Sequence, residues 1–326
     1  MKMLVFPREA KNPYQNLLYR AMRARGDTIR YVGLLTFLPQ IFLGRLLGYD
    51  VFHLHWANAF LLRSKREAYW RYLLCLKAIK LLGYKLVWTA HNVLPHEPAF
   101  PDDIAARRKL VDAADLVIAH SELTLQRLRE IGAEPKRSVI IPHGSYVGMY
   151  PDTISRATAR NKLGLAAETF VYLFLGTVRE YKGLNDLLVA YEKIKNGKNK
   201  LIVAGMGSSA GYIPDDDLQT YFNAADVVVL PFKEVSTSGS ALLALSFGRA
   251  VIVPRLGDLD NLPDAVAYKY SPQESDGLLR PMRDAEQDVA LLRQKSRAAL
   301  RYAEELGWPL IARRTHEAIE DLFANS

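Results

Sequence analysis

Cysteine is almost absent: the chain of 326 residues has one, Cys75. An internal disulfide framework and a cysteine-rich zinc site are therefore excluded, and a reducing, cytoplasmic setting fits. Long apolar runs are missing too. None approaches the roughly 20 residues of a membrane span, and the opening apolar stretch, 1–6, is broken at Pro7, too short for a secretory signal. There is no internal repeat, no low-complexity tract and no H-E-x-x-H metal pattern. The composition that remains is 49% hydrophobic and 24% charged, which excludes a disordered or collagen-like chain. Chains beyond about 250–300 residues usually divide into more than one core, so two domains are expected.

Acidic residues are scarce in the first half. Residues 1–150 carry 22 Lys/Arg against 12 Asp/Glu, whereas 151–326 carry 21 against 23. The whole net charge of +8 thus arises N-terminally. That half should face something anionic: nucleic acid, a lipid surface or a phosphorylated substrate. No nucleic-acid-binding motif accompanies the charge.

Short apolar runs alternate with helical stretches throughout. Residues 3–6, 51–55, 86–90, 116–119 and 139–141 read as strands, with amphipathic segments at 14–25, 67–82, 104–113 and 122–131. The second half repeats the pattern, with strands at 170–175, 201–204, 227–230 and 251–253 and helices near 183–195, 215–224 and 240–247. Continuously apolar strands alternating with helices predict parallel sheets covered on both faces. The fold class is α/β, with two Rossmann-like domains. The joint falls in the Pro- and Gly-bearing stretch 142–151, giving domains at 1–147 and 148–308. A helix opens the second domain at 153–165, and a final amphipathic helix at about 309–326 is expected to return to the first. In such sheets ligands bind beyond the carboxyl ends of the strands, so a cleft between the two is the expected site.

Four constellations could carry chemistry. The turn Ser238-Gly239-Ser240, with Thr237 before it, follows an apolar strand and opens a helix. Its free N–H groups and hydroxyls suit a diphosphate; the alternative is an ordinary N-cap. Arg179 and Lys182 lie between a strand and a helix in the same half and could neutralise phosphate. In the first half His53, His55 and Trp56 end one strand, and His91, Asn92, His96 and Glu97 end another. An imidazole or carboxylate there could act as general base; the alternative is a hydrogen-bonded strand-end histidine. Finally, Arg63, Lys65, Arg66, Arg71, Lys77, Lys80 and Lys85 interleave with Tyr69, Trp70 and Tyr72. Such a segment can lie on an anionic bilayer or serve as a domain helix with one core face and one wet face. The neighbouring "LLTFLPQIFLGRLLGY" adds apolar surface for a lipid. Asp258 and Asp260 form a D-x-D in a loop, and Asp215, Asp216 and Asp217 precede a helix as a first-turn acid cluster.

At "NPYQNLLYRAM", "YDVFHLHW", "TAHNVLPHE", "IPHGSY", "YKGLNDLL" and "AADVVVLPFKEVSTSGSALLALSFGRAVIVP" the sequence resembles the GT-B glycosyltransferases, in particular the family of the xanthan-pathway GDP-mannose:glycolipid 4-beta-mannosyltransferase. The resemblance covers most of the chain in order. It implies a donor nucleotide-sugar, GDP-mannose favoured, held by Arg179, Lys182, Thr237, Ser238, Gly239, Ser240, His143 and Gly144. It implies a saccharide acceptor, lipid-diphosphate-linked, near His53, His55, Trp56 and Asn92, and a base among His91, Glu97 and His96. It further implies no metal and no cofactor, and action at the inner membrane face, with the basic 60–85 region towards an anionic surface. The sequence departs from the family at three places. Val235 and Leu243 stand where retaining members carry two glutamates, and Thr177 stands where they carry an arginine, so inversion is expected. The stretch 205–213 is short where relatives have a helix and a strand near the nucleobase. A retaining transferase or epimerase with another donor, and a degenerate glycan- or partner-binding module, remain the alternatives.

Overall fold

A computed structural model describes residues 1–8, 12–60, 64–95, 97–208, 210–234 and 238–324. The chain divides into two compact units, one of Met1–Gly144 with Trp308–Ser326 and one of Ser145–Gly307. Both are parallel sheets sandwiched between helices.

In the first unit the order is β1 (Lys2–Phe6), α1 (Pro13–Ala24), β2 (Thr28–Tyr31), α2 (Phe37–Leu46), β3 (Val51–Leu54), α3 (Lys65–Leu81), β4 (Lys85–Ala90), α4 (Asp103–Ala113), β5 (Leu116–Ala119), α5 (Glu122–Glu130) and β6 (Ser138–Ile140). The sheet runs β2-β1-β3-β4-β5-β6, every pair parallel. β3 and β5 are buried at every residue, as a sheet covered on both faces requires. One apolar layer gathers Phe6, Phe37, Phe52, Tyr72 and Trp88; the other gathers Val5, Tyr14, Leu18 and Ile118. Helices start on side-chain caps: Asn12, Ser64, Asp102 and Ser121 each accept a first-turn N–H, satisfying a donor the helix cannot.

The second unit contains α6 (Arg156–Lys162), β7 (Phe170–Leu175), α7 (Leu184–Glu192), β8 (Asn199–Ala204), α8 (Leu218–Ala224), β9 (Val227–Val229), α9 (Gly239–Ser246), β10 (Val251–Pro254), β11 (Ala267–Tyr270), α10 (Leu279–Gln287) and α11 (Val289–Glu305). Its sheet runs β11-β10-β9-β7-β8, again all parallel.

The last helix, α12 (Trp308–Ala324), belongs to the first unit. Trp308, Ile311, Ala312, Ile319 and Leu322 bury themselves with Tyr14, Leu18 and Met22 of α1. Gly144 is fitted to this return: a Cβ there would stand 2.6 Å from the Trp308 ring. Several elements differ from the expected ones. β2 and β11 were not expected as strands. α6 begins at Arg156, because Ser155 caps it by accepting from Thr158 N–H. The triple aspartate 215–217 forms a 3-10 turn ahead of α8.

Candidate functional site

In a parallel sheet, neighbouring strands lie about 4.8 Å apart and end side by side. In the first unit β3, β4 and β5 are each followed at once by a histidine, His55, His91 and His120, and His143 follows shortly after β6. The result is a row of imidazoles along the carboxyl edge of the sheet. Thr89 Oγ1 lies 2.8 Å from His53 Nε2, and His53 Nδ1 lies 2.8 Å from the Tyr19 hydroxyl. That hydroxyl is 2.5 Å from His55 Nε2, and His55 Nδ1 is 2.9 Å from His91 Nε2. His91 Nδ1 is 3.2 Å from His120 Nε2, and His120 Nδ1 is 2.9 Å from the Ile141 carbonyl.

The carbonyl at the end sets the whole row. It can only accept, so His120 must donate through Nδ1. A neutral His120 then accepts at Nε2, so His91 donates through Nδ1. The same step repeats through His55, the Tyr19 hydroxyl and His53 to the Thr89 hydroxyl. One assignment satisfies every group, with all four histidines neutral, protonated on Nδ1 and pointing one way. Burial agrees. It pushes His53 down to about 3 and holds His55 and His91 well below the usual range, with the neighbouring imidazoles adding to it. His120 is lowered by burial against the opposing pull of the Ile141 carbonyl. His143 donates from Nδ1 to the Gly144 carbonyl at 2.6 Å and is pushed down to about 3 by burial and by His120. The Tyr14 ring is the hub, 4.6–5.8 Å from the rings of His55, His91, His120, His143 and Trp308.

His53 and His55 are enclosed, at 0% and 1% exposure, so neither meets a ligand directly, whereas His91, Trp56 and Asn92 are partly exposed. Trp56 stacks on His91 at 4.6 Å and 13°. Both ring nitrogens of His91 are engaged within the row. Glu97 is exposed, and His96 lies outside the described residues. The row also contains Tyr19, Thr89 and His120, which sequence reasoning did not pick out. The signal for His120 was available: "LVIAHS" repeats the apolar-strand-then-histidine pattern of "VWTAHN". Among the described residues no group of three His, Cys, Asp or Glu is arranged to hold a metal ion. Asp260 is paired with Arg255 at 2.9 Å.

In the second unit, two loops meet at the carboxyl ends of β7 and β9. The loop after β7 carries Arg179, exposed, and Lys182, half-buried. The Lys182 ammonium sits against Gly176, where a Cβ would be only 2.7 Å away, and 5.9 Å from the Phe232 ring. Burial lowers its pKa, and the charge of Arg179 lowers it further. Gly183 at φ +68° fixes the contact of the loops, since a Cβ there would stand 1.9 Å from the Pro231 carbonyl oxygen. Lys233 N–H donates to the Tyr181 carbonyl at 2.7 Å. The loop after β9 leads to α9, where Ser238 Oγ accepts from Ala241 N–H at 3.2 Å. Ser238 is therefore an N-cap, and it leaves the first two N–H groups of the helix, Gly239 and Ser240, without an intrahelical acceptor. Thr237 and Val235 lie outside the described residues. Leu243 packs on the core and supplies no carboxylate.

Two parallel α/β units of this kind are the architecture of the GT-B fold. Residues 5–145 match the model of Glycosyltransferase Family 4, and residues 169–292 match that of Glycosyl transferases group 1. The chain belongs to these glycosyltransferases and is an enzyme. It is 27% identical over 278 residues to a GDP-mannose:glycolipid 4-beta-D-mannosyltransferase of Xanthomonas campestris, covering 76% of this chain and 71% of that one. It is 27% identical over 271 residues to a D-inositol 3-phosphate glycosyltransferase of Segniliparus rotundus, covering 71% of this chain and 60% of that one. Among solved structures it resembles sucrose-phosphate synthase from Thermosynechococcus elongatus, with TM-score 0.78 and 18% identity over 100% of this chain and 99% of that one. It also resembles Anabaena HepE in complex with UDP, with TM-score 0.75 and 15% identity over 98% and 99%.

Proposed function

We propose that the protein transfers a hexose, mannose from GDP-mannose in the favoured reading, to a saccharide acceptor carried on a lipid diphosphate. The observation that carries the reading is the meeting of the two loops in the second unit. A half-buried lysine and an exposed arginine lie on one, and the other leads to α9, whose first two N–H groups have no intrahelical acceptor. Positive charge and oriented N–H groups at one place stabilise a departing diphosphate. Arg179, Lys182, Ser238, Gly239 and Ser240 hold it, and they supply the neutralisation that a divalent cation would otherwise give, so no metal is required. The activity for which the Xanthomonas relative is named supports mannose, GDP and a glycolipid.

With Leu243 in the core, the donor side has no carboxylate at that position, which supports inversion by direct attack of the acceptor hydroxyl. A base must then take its proton. His91 has both nitrogens engaged and must break its bond with His55 before it accepts, whereas the exposed Glu97 carboxylate needs no such change. We assign the proton to Glu97 and give His91, Trp56 and Asn92 the wall of the acceptor site.

Attachment to an anionic inner membrane face fits the first unit. α2 presents Phe42 and Leu46, and Leu35 precedes it at 86% exposure. α3 buries Tyr72, Cys75 and Ile79 and leaves Trp70, Leu74 and Leu81 outside among Lys65, Arg66 and Lys77. Apolar side chains rimmed by cations suit a bilayer surface; no helix among the described residues is long and apolar enough to cross one. A second reading keeps the chemistry and changes the acceptor. The Segniliparus relative is named for inositol 3-phosphate, and the basic first unit also suits a free phosphorylated acceptor.

Thermal stabilisation by GDP, UDP, ADP, dTDP and GDP-mannose without added metal tests the donor. A ligand at about 100 times its dissociation constant adds roughly 2.7 kcal/mol. GDP and GDP-mannose should stabilise selectively, and Lys182→Ala should remove the shift. A selective shift with UDP replaces the donor, and no shift with any nucleotide overturns the reading.

A further inference from the structure

At the end of the second-unit sheet remote from the two meeting loops, a cavity of about 470 Å³ opens between α11 and the segments that lead into β9 and β10. Arg156, Arg249, Arg293 and Arg297 line it, with Asp226 as the one carboxylate, and Phe247, Val289, Leu292 and Leu300 supply apolar wall. So dense a group of guanidinium ions is unexpected in the half of the chain whose charge balance is negative.

Part of the cluster has a structural duty. Arg156 donates to the Ala225 carbonyl at 3.0 Å and to Asp226 at 2.5 Å. Arg160 donates to the Ala224 carbonyl at 3.2 Å and to Asp226 at 2.8 Å. Arg249 donates to the Phe222 carbonyl at 2.6 Å and to Asn223 Oδ1 at 3.0 Å. These three arginines cap the carbonyl end of α8, where cations are favoured. Asp226 is saturated by two of them. Arg249 remains a strained charge: burial, and then the charge of Arg156, pull its pKa down to about 10 against Asp226 and Asp152.

Arg293 and Arg297 have no such duty. They stand four residues apart on α11, so both project to the same side. Neither has a hydrogen bond or ion pair among the described residues. Like charges at this spacing repel. Here they add to a cavity already positive from Arg249. A phosphate takes two such forks bidentately, and the volume falls in the range of small-ligand sites, which are mostly apolar with a few placed polar groups.

We propose that this cavity is a second ligand site, separate from the donor site, for a small phosphorylated molecule with an apolar portion. Arg293 and Arg297 grip the phosphate over Arg249, and Phe247, Val289 and Leu292 receive the apolar part. The assignment stands independently of the donor and acceptor proposed above. Titration of the full chain carrying Lys182→Ala with pyrophosphate tests it, because the donor loops then lose their half-buried cation. Binding should persist and should weaken at least threefold when Arg293→Gln and Arg297→Gln are added. Loss of all binding with Lys182→Ala alone, or a change below threefold with the added pair, overturns the site. Butyl phosphate should bind the Lys182→Ala chain more tightly than inorganic phosphate; equal or weaker binding overturns the apolar half.

Discussion

Acidification should destabilise the first unit well above the pH at which carboxylates titrate. The perturbation is a shift from pH 7.5 to 5.5. An imidazole in an unfolded chain titrates near 6.5; His53 and His143 are pushed down to about 3, so in the folded protein both stay neutral at pH 5.5. The unfolded chain therefore binds more protons than the native one, and stability falls as pH falls. It is intact above the unfolded value and is lost progressively from about 6.5 down towards 3. One unit below 6.5, each ring costs about 1.4 kcal/mol, roughly 3 kcal/mol for the pair. His55, His91 and His120 act with the same sign. Against a typical domain stability of about 5–15 kcal/mol, that is a large loss. The assay is urea unfolding followed by tryptophan fluorescence. All four tryptophans, Trp56, Trp70, Trp88 and Trp308, lie in the first unit, so the signal reports that unit alone. An unchanged urea midpoint between pH 7.5 and 5.5 would refute the reasoning. The variant His53→Gln should flatten the pH slope by about one proton.

Two further outcomes are expected. Glu97→Gln should lower kcat by about 10²-fold or more, the usual contribution of a general base, without moving the melting temperature; kcat within twofold of wild type would return the proton to His91. Phe42→Ser with Leu46→Ser should lower sedimentation with vesicles of anionic lipid at least fivefold and leave transfer to a soluble acceptor intact. Unchanged sedimentation would remove α2 from the membrane contact.

The parts legible in the sequence are those written as continuous apolar strands. β3, β5 and β9 are buried at each position, and no half-exposed pattern competes with that reading. β2 escaped because "TIRY" is an edge strand of four residues with an alternating exposed face, which resembles a loop after a helix. β11, "AYKY", is equally short and also at an edge. The two loops of the second unit were legible because cations and a Ser-Gly-Ser turn flank recognisable strands. Their contact was not, since it depends on Gly183 meeting Pro231, 48 positions later. The histidines were visible one strand at a time. Their joining needed the strand order, which places β3, β4, β5 and β6 side by side, and Tyr19, which bridges from a helix.

The return of α12 also governs the timing of folding. The chain leaves the first unit at Gly144 and comes back at Trp308, so the second unit is complete in sequence before the first. During synthesis, domains generally fold as their residues emerge. The first unit then waits through 163 residues for Trp308, Ile311 and Ile319 to cover Tyr14 and Leu18. At roughly 5–20 residues per second, α1 keeps an uncovered apolar face for about 10–30 s on the ribosome. A stop codon just before Trp308 would leave a finished second unit attached to a first unit that lacks its closing helix.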